Sequence, residues 1–206
     1  MEYLVTMTTH VPDGTPDQAV GDVRAREAAH SAELAARGSL LRLWRPPLRP
    51  GEWRTLGLFA AADSGQLEQV LASMPLRIWR TDEVTPLSPH PNDPRPQTGT
   101  PASSAPAAGG SEFLTMFTIA VPAGTPTETV DARLAGEADR TRQLAAEGSL
   151  LRLWKLPGEG RALGLWTARD DAEMQAILES LPLDAWMLVQ TTPLAVHPGD
   201  PARAVT

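Results

Sequence analysis

The sequence contains no cysteine, which removes disulfide staples, thiolate zinc sites, iron–sulfur clusters and thiol nucleophiles together. It has no surplus of positive charge either: 18 lysines and arginines stand against 25 aspartates and glutamates, a formal net charge of −7. A nucleic-acid partner calls for a basic stripe, and none is visible. No apolar run approaches the roughly 18 residues of a membrane span. The stretch from Met1 to Val11 lacks the basic start, apolar core and small-residue cleavage site of a secretion signal. A cytoplasmic protein with neither membrane nor nucleic-acid partner is therefore expected. The four histidines show no metal-ligand spacing, and no glycine-rich phosphate loop is present, so neither metal nor cofactor is expected. Proline, by contrast, is abundant, at 20 residues in 206, and belongs in turns, caps and linkers rather than in element interiors. With 42% hydrophobic and 21% charged residues the chain can build a core.

The chain is written twice. Val11-Pro12-Asp13-Gly14-Thr15-Pro16 returns as Val121-Pro122-Ala123-Gly124-Thr125-Pro126, and Gly38 to Trp44 returns unchanged as Gly148 to Trp154. At an offset of 110, 22 of the 44 positions from Glu2 to Arg45 are identical; at an offset of 107, so are 18 of the 42 from Trp53 to Pro94. Each copy, about 90 residues long, is large enough for a small domain with its own core. The division reads as copy one over residues 1–92, a linker over 93–110 and copy two over 111–206. The joining stretch, rich in Pro, Ala, Gly and Ser, carries no apolar side chain larger than alanine and reads as a stiff, extended segment spanning on the order of 60 Å.

Within each copy, alternation from Tyr3 to Val11 and from Phe113 to Val121 predicts a strand. Thr15-Pro16-Asp17-Gln18 and Thr125-Pro126-Thr127-Glu128 read as capping boxes, with Gly38 and Gly148 closing helices of about twenty residues. Two strands follow (Leu40 to Arg45, Arg54 to Ala60), then a helix ended by Pro75 or Pro182, then a last strand from about Ile78 or Ala185. The order strand-helix-strand-strand-helix-strand is the ferredoxin-like unit. The fold class expected is α+β: two such domains with antiparallel sheets and both helices on one sheet face. The bare faces then pack together as a dimeric α+β barrel-like pair.

Some residues break the apolar pattern. Glu27 falls on the inward stripe of the first helix between Val23 and Leu34, and Glu137 repeats the anomaly. A carboxylate against apolar walls has its charged form disfavoured, which suits a general base or acid near neutrality. The alternative is a structural ion pair with Arg42, Arg45, Arg152 or Lys155. Alternation places Leu40, Arg42 and Trp44 on one face of the second strand and Leu41, Leu43 and Arg45 on the other. Arg45 and Lys155 either stabilise a developing enolate oxygen or keep an edge strand soluble. Trp44 and Trp154 serve as core anchors or as substrate platforms beside Arg42 and Arg152. His30, one turn after Glu27, shares its pocket or sits half-exposed. His90 and His197 match each other near the strand ends.

The inward Glu, the run Gly-Ser-Leu-Leu-Arg-Leu-Trp-Arg, and then Met-Pro-Leu-Arg-Ile-Trp and Thr-Pro-Leu-Ser-Pro-His-Pro together resemble the muconolactone isomerase family over nearly all of each copy. The resemblance implies a ferredoxin-like fold, cofactor-free proton transfer on an unsaturated lactone, and self-association through sheets into homo-oligomers. Glu27 with Arg45, and Glu137 with Lys155, are the candidate catalytic residues, and His30, Arg42, Trp44, Arg152 and Trp154 the candidate substrate contacts. Two departures stand out: two copies share one chain, and Lys155 replaces Arg45. Competing readings are a natural-product cyclase on the same fold and a non-catalytic binding or assembly protein.

Overall fold

In the computed structural model the described residues are 1–95 and 110–205. The stiff joining segment expected from the sequence falls mostly outside them. The first copy runs β1 (Glu2–Thr9), α1 (Asp17–Ala36), β2 (Leu40–Arg45), β3 (Arg54–Ala60), α2 (Ser64–Ser73) and β4 (Arg80–Pro89). The second runs β5 (Ser111–Ile119), α3 (Thr127–Ala146), β6 (Leu150–Lys155), β7 (Arg161–Ala168), α4 (Asp171–Glu179) and β8 (Met187–Val196). This is the α+β, ferredoxin-like order read from the sequence.

Two compact units are present, and their boundaries do not coincide with the repeats. The first holds residues 1–87 and 195–205; the second holds 88–95 and 110–194. Each unit is thus completed by the tail of the other repeat. In the first unit the sheet order is β4-β1-β3-β2, all antiparallel, and Ala195 and Val196 at the end of β8 pair with Arg45 and Trp44. In the second the order is β8-β5-β7-β6, with Ser88 and Pro89 pairing with Lys155 and Trp154.

Each sheet packs its helices over a core. In the first unit Tyr3, Val5 and Met7 of β1 meet Leu34 of α1 and Leu67 and Leu71 of α2. In the second, Phe113 and Phe117 meet Leu144, Met174 and Leu178, and Phe117 sets its edge against the Trp166 ring at 6.2 Å. Gly164 makes room for that tryptophan: a Cβ there would lie 2.3 Å from Trp166 Nε1, which donates to Thr115 Oγ1 at 2.7 Å.

Three local expectations are corrected. The α1 and α3 termini are not capping boxes: the helices begin after Pro16 and Pro126, and neither has a side-chain cap. Thr15 and Thr125 instead donate their hydroxyls to the Pro12 and Pro122 carbonyls, closing the turns in which Gly14 and Gly124 take positive φ. Side-chain caps occur on the second helices, where Asp63 accepts from Gln66 N and Asp170 from Glu173 N, each at 2.8 Å. The last strands start later than expected, at Arg80 and Met187, because 3-10 turns over Pro75–Trp79 and Asp184–Trp186 come first. Strict alternation along β2 and β6 also fails. A register shift between Leu40 and Arg42, repeated between Leu150 and Arg152, lets Leu40 and Leu43 (and Leu150 and Leu153) share the helix-side core. One extra residue reverses which side chains face which way.

The same irregularity turns Arg42 and Arg152 to the opposite face, where they hold the exchanged tails. Arg42 donates Nε and Nη2 to the Asp200 carboxylate at 3.1–3.2 Å, and Leu43 N donates to Asp200 Oδ1 at 3.0 Å. Arg152 and Leu153 N hold Asp93 in the same way at 3.0–3.3 Å. The carboxylate supplies an acceptor for a β2 or β6 backbone donor just where the neighbouring strand runs out. The guanidiniums lie over the rings of Trp44 and Trp154, at 4.8 and 4.6 Å. Asp93, assigned from sequence to the linker, is therefore an anchoring residue of the second unit.

Candidate active site

Each unit has a cavity between its sheet and first helix, walled on one side by the borrowed tail. In the first unit it measures about 290 Å³, and its lining includes Arg24, Glu27, Arg45, Trp53, Arg80 and His197. Glu27 projects from α1, and two features of its surroundings fix it. The 3-10 turn Pro75–Trp79 begins with backbone N–H groups that need an outside acceptor, and Leu76 N donates to Glu27 Oε2 at 2.8 Å. Arg80, the first residue of β4, donates Nη1 to Glu27 Oε1 at 3.2 Å. Its side chain is only 2% exposed, and Asp82 holds it from the other side, with Oδ1 2.6 Å from Nε. Arg77 bonds Asp82 in turn and reaches Glu68 at 2.8 Å, extending the charge network to the surface.

The walls of this cavity carry three guanidiniums, those of Arg24, Arg45 and Arg80, against one carboxylate, Glu27. Arg24 and Arg45 are exposed, and Arg24 stacks over the Trp53 ring at 5.2 Å. His197 is held by its own turn: Gly199 N donates to His197 Nδ1 at 3.1 Å, and Asp200 N donates to the His197 carbonyl at 2.9 Å. With Nδ1 as acceptor, the proton of the neutral ring sits on Nε2. Burial lowers the His197 pKa first, the Arg45 charge lowers it further and that of Arg24 adds to this, while Asp200 opposes. At neutral pH the residue is thus an uncharged donor.

The cavity of the second unit, about 100 Å³, is lined by Glu137, His90, Asn92 and Thr141 among largely apolar side chains. Leu183 N donates to Glu137 Oε2 at 3.1 Å, but the position of Arg80 is taken by Met187. Burial accordingly raises the Glu137 pKa above the ordinary carboxylate value, with the Leu183 N–H pulling the other way. His90 repeats the tail geometry of His197, accepting from Asn92 N at 3.1 Å. Its pKa is lowered by burial and then by the Lys155 charge, with Asp93 opposing.

A raised folded-state pKa on a carboxyl group means that its contribution to stability is complete below the ordinary value and is lost as pH rises through the folded one. Glutamine keeps the acceptor for Leu183 N and cannot ionise. Glu137→Gln is therefore expected to raise the melting temperature at pH 8 by more than it does at pH 4, which thermal unfolding at the two pH values measures.

Of the site residues read from sequence, Glu27 and Arg45 share the first cavity, and Glu137 lines the second. Lys155, exposed at the end of β6, does not line the second cavity and acts on His90 through its charge. His30 does not line the cavity; its Nε2 lies 2.8 Å from Ser73 Oγ and its Nδ1 3.2 Å from Glu33. Arg42, Trp44, Arg152 and Trp154 belong to the tail clamps rather than to either cavity. The residues that sequence reasoning missed are Arg80, Arg24, Trp53 and the role of His197. Two signals were available: the divergence of Arg80 from Met187 in otherwise matched repeats, and the paired His90-Pro91-Asn92-Asp93 and His197-Pro198-Gly199-Asp200.

A sequence model described as muconolactone delta-isomerase matches residues 1–93 and again residues 111–200. The chain is 32% identical over 95 residues to Muconolactone Delta-isomerase 1 of Acinetobacter lwoffii, covering 46% of this chain and 96% of that relative. It is also 32% identical over 95 residues to Muconolactone Delta-isomerase of Cupriavidus pinatubonensis, covering 46% of this chain and all of that one. Among solved structures, chlorite dismutase from Candidatus Nitrospira defluvii superposes with a TM-score of 0.58 at 10% identity, over 94% of this chain and 91% of that one. That is a likeness of fold.

Proposed function

This chain belongs to the muconolactone delta-isomerase family, matched once by each repeat, and from that premise we propose that it is an intramolecular isomerase of unsaturated lactones. The first unit takes a substrate that carries a carboxylate. Muconolactone is such a molecule, a five-membered unsaturated lactone with a carboxymethyl arm. Moving its ring double bond requires removing the proton from the ring carbon that bears the arm. The electron pair shifts through the ring onto the carbonyl oxygen as a dienolate, and the proton returns at the carbon next to the carbonyl. Atoms and charge balance within the substrate, and the base ends as it began.

In this reading Glu27 is that base and then the acid. Its Oε2 is committed to Leu76 N, and its Oε1 accepts from Arg80 in the cavity wall, so both contacts hold the carboxylate at the cavity. A single carboxylate serves both carbons on one ring face, so the dienolate oxygen lies near Glu27. Arg80 and the Nε2–H of His197 are the donors placed to meet the charge that develops there. Arg24 and Arg45, at the exposed edge of the cavity, take the substrate carboxylate, Arg45 thus holding the arm rather than the enolate. The observation that supports the reading most is the cavity wall itself: one backbone-anchored carboxylate among three guanidiniums. Incubating the full chain with muconolactone and following the enol-lactone product by NMR is expected to show turnover; inertness at high enzyme concentration contradicts the reading.

A further inference from the structure

The two cavities share a plan but differ position by position. At matched positions Arg24 becomes Leu134, Arg80 becomes Met187, Thr9 becomes Ile119 and Thr55 becomes Ala162, all lining their respective cavities. Arg45 becomes Lys155, which does not line the second cavity. Three polar residues survive the exchange: Glu27 persists as Glu137 and His197 has its counterpart in His90, each with its backbone bond intact, and Ser31 keeps a hydroxyl as Thr141. The second cavity is thus stripped of guanidiniums while keeping the carboxylate and the neutral imidazole.

We propose that the second unit is a separate site for an uncharged, apolar, enolisable lactone, on which Glu137 performs the proton transfer. Two independent observations point to that class of ligand. The first is charge: among the described residues a substrate carboxylate has no cation to meet on these walls, and burying it unpaired among leucines and a methionine is costly. The second is size. The cavity holds about 100 Å³ against about 290 Å³ in the first unit, which suits a lactone that has lost its charged arm. The raised pKa of Glu137 agrees, since a carboxyl group held closer to neutrality is the stronger base once ionised. The inference rests on the isomerase chemistry proposed above but not on the substrate of the first unit.

The test compares muconolactone with α-angelica lactone, a five-membered lactone with a methyl group in place of the carboxymethyl arm and its double bond where the isomerised product of muconolactone has it. It isomerises through the same kind of dienolate in the reverse sense, losing the proton next to the carbonyl and regaining one at the carbon that bears the methyl group. Rates are read by NMR on the full chain, above the buffer rate. The wild-type chain is expected to turn over α-angelica lactone, and Glu137→Gln to lower the ratio of α-angelica lactone to muconolactone turnover at least tenfold. Glu27→Gln is expected to raise that ratio. Met187→Arg, which restores a guanidinium beside Glu137, is expected to lower it. Turnover of α-angelica lactone alone sustains this inference and sinks the assignment of the first unit. The inference is overturned if α-angelica lactone is inert while muconolactone reacts, or if Glu137→Gln leaves the ratio where it was.

Discussion

Glu27→Gln is expected to lower muconolactone turnover by about 10²- to 10⁴-fold, the range for loss of a positioned general base. Glutamine still accepts the Leu76 N–H, occupies the same volume and leaves the cavity shape intact, so the loss falls on kcat rather than on KM. The guanidinium beside it sharpens the expectation. Arg80 has a second carboxylate in Asp82, so removing the Glu27 charge does not strip a buried cation of compensation, and the variant is expected to fold. A variant that folds and remains fully active would remove Glu27 from the chemistry. A variant that fails to fold would instead mark the carboxylate as a member of the Arg80 network first, as the structural-pair reading of the sequence has it.

Asp200→Ala is expected to destabilise the first unit by about 3–5 kcal/mol, the cost of withdrawing one partner from a buried ion pair. Asp200 is fully buried, and it accepts from a guanidinium that is itself 2% exposed and from the backbone of Leu43. Its loss strikes three elements at once: the charge of Arg42, the end of β2 and the turn that presents His197. Denaturant unfolding should register it as a lower midpoint. Muconolactone turnover should fall as well, because Pro198 and His197 wall the cavity. Asp93→Ala removes the matching clamp from the second unit, where the carboxylate is slightly more accessible, and should cost less stability and less muconolactone turnover. Equal loss of turnover from the two would contradict the view that each tail serves the cavity it lines.

How much of this was legible in advance follows from the range of each interaction. The duplication, the element order and the anomalous carboxylates were visible because repeats and helical periodicity are local patterns. The orientation of Arg42 and Trp44 was not, because a single inserted residue between Leu40 and Arg42 reverses the alternation without leaving a compositional trace. The partner of Arg42 was harder still, lying 158 residues away in the tail of the other repeat. Sequence reasoning sought the cation for Glu27 on the adjacent strand, in Arg42 or Arg45. The fold supplies it from β4, because the 3-10 turn over Pro75–Trp79 sets the first residue of that strand beside α1. The contrast of Arg80 with Met187 is present in the sequence, but its meaning depends on the fold setting each beside the matching carboxylate. The capping boxes failed for a local reason: each threonine hydroxyl had a nearer carbonyl two residues before the intervening glycine.

The central claim is that Glu27 carries a proton between two carbons of a lactone that bears a carboxylate. The most direct measurement follows muconolactone by NMR in D₂O with the wild-type chain and with Glu27→Gln. The account predicts that the wild-type chain forms the isomer, with deuterium entering the carbon next to the carbonyl only as far as the Glu27 carboxyl exchanges with solvent during transfer, while Glu27→Gln forms the isomer about 10²- to 10⁴-fold more slowly. Isomer formation by Glu27→Gln at the wild-type rate would contradict it.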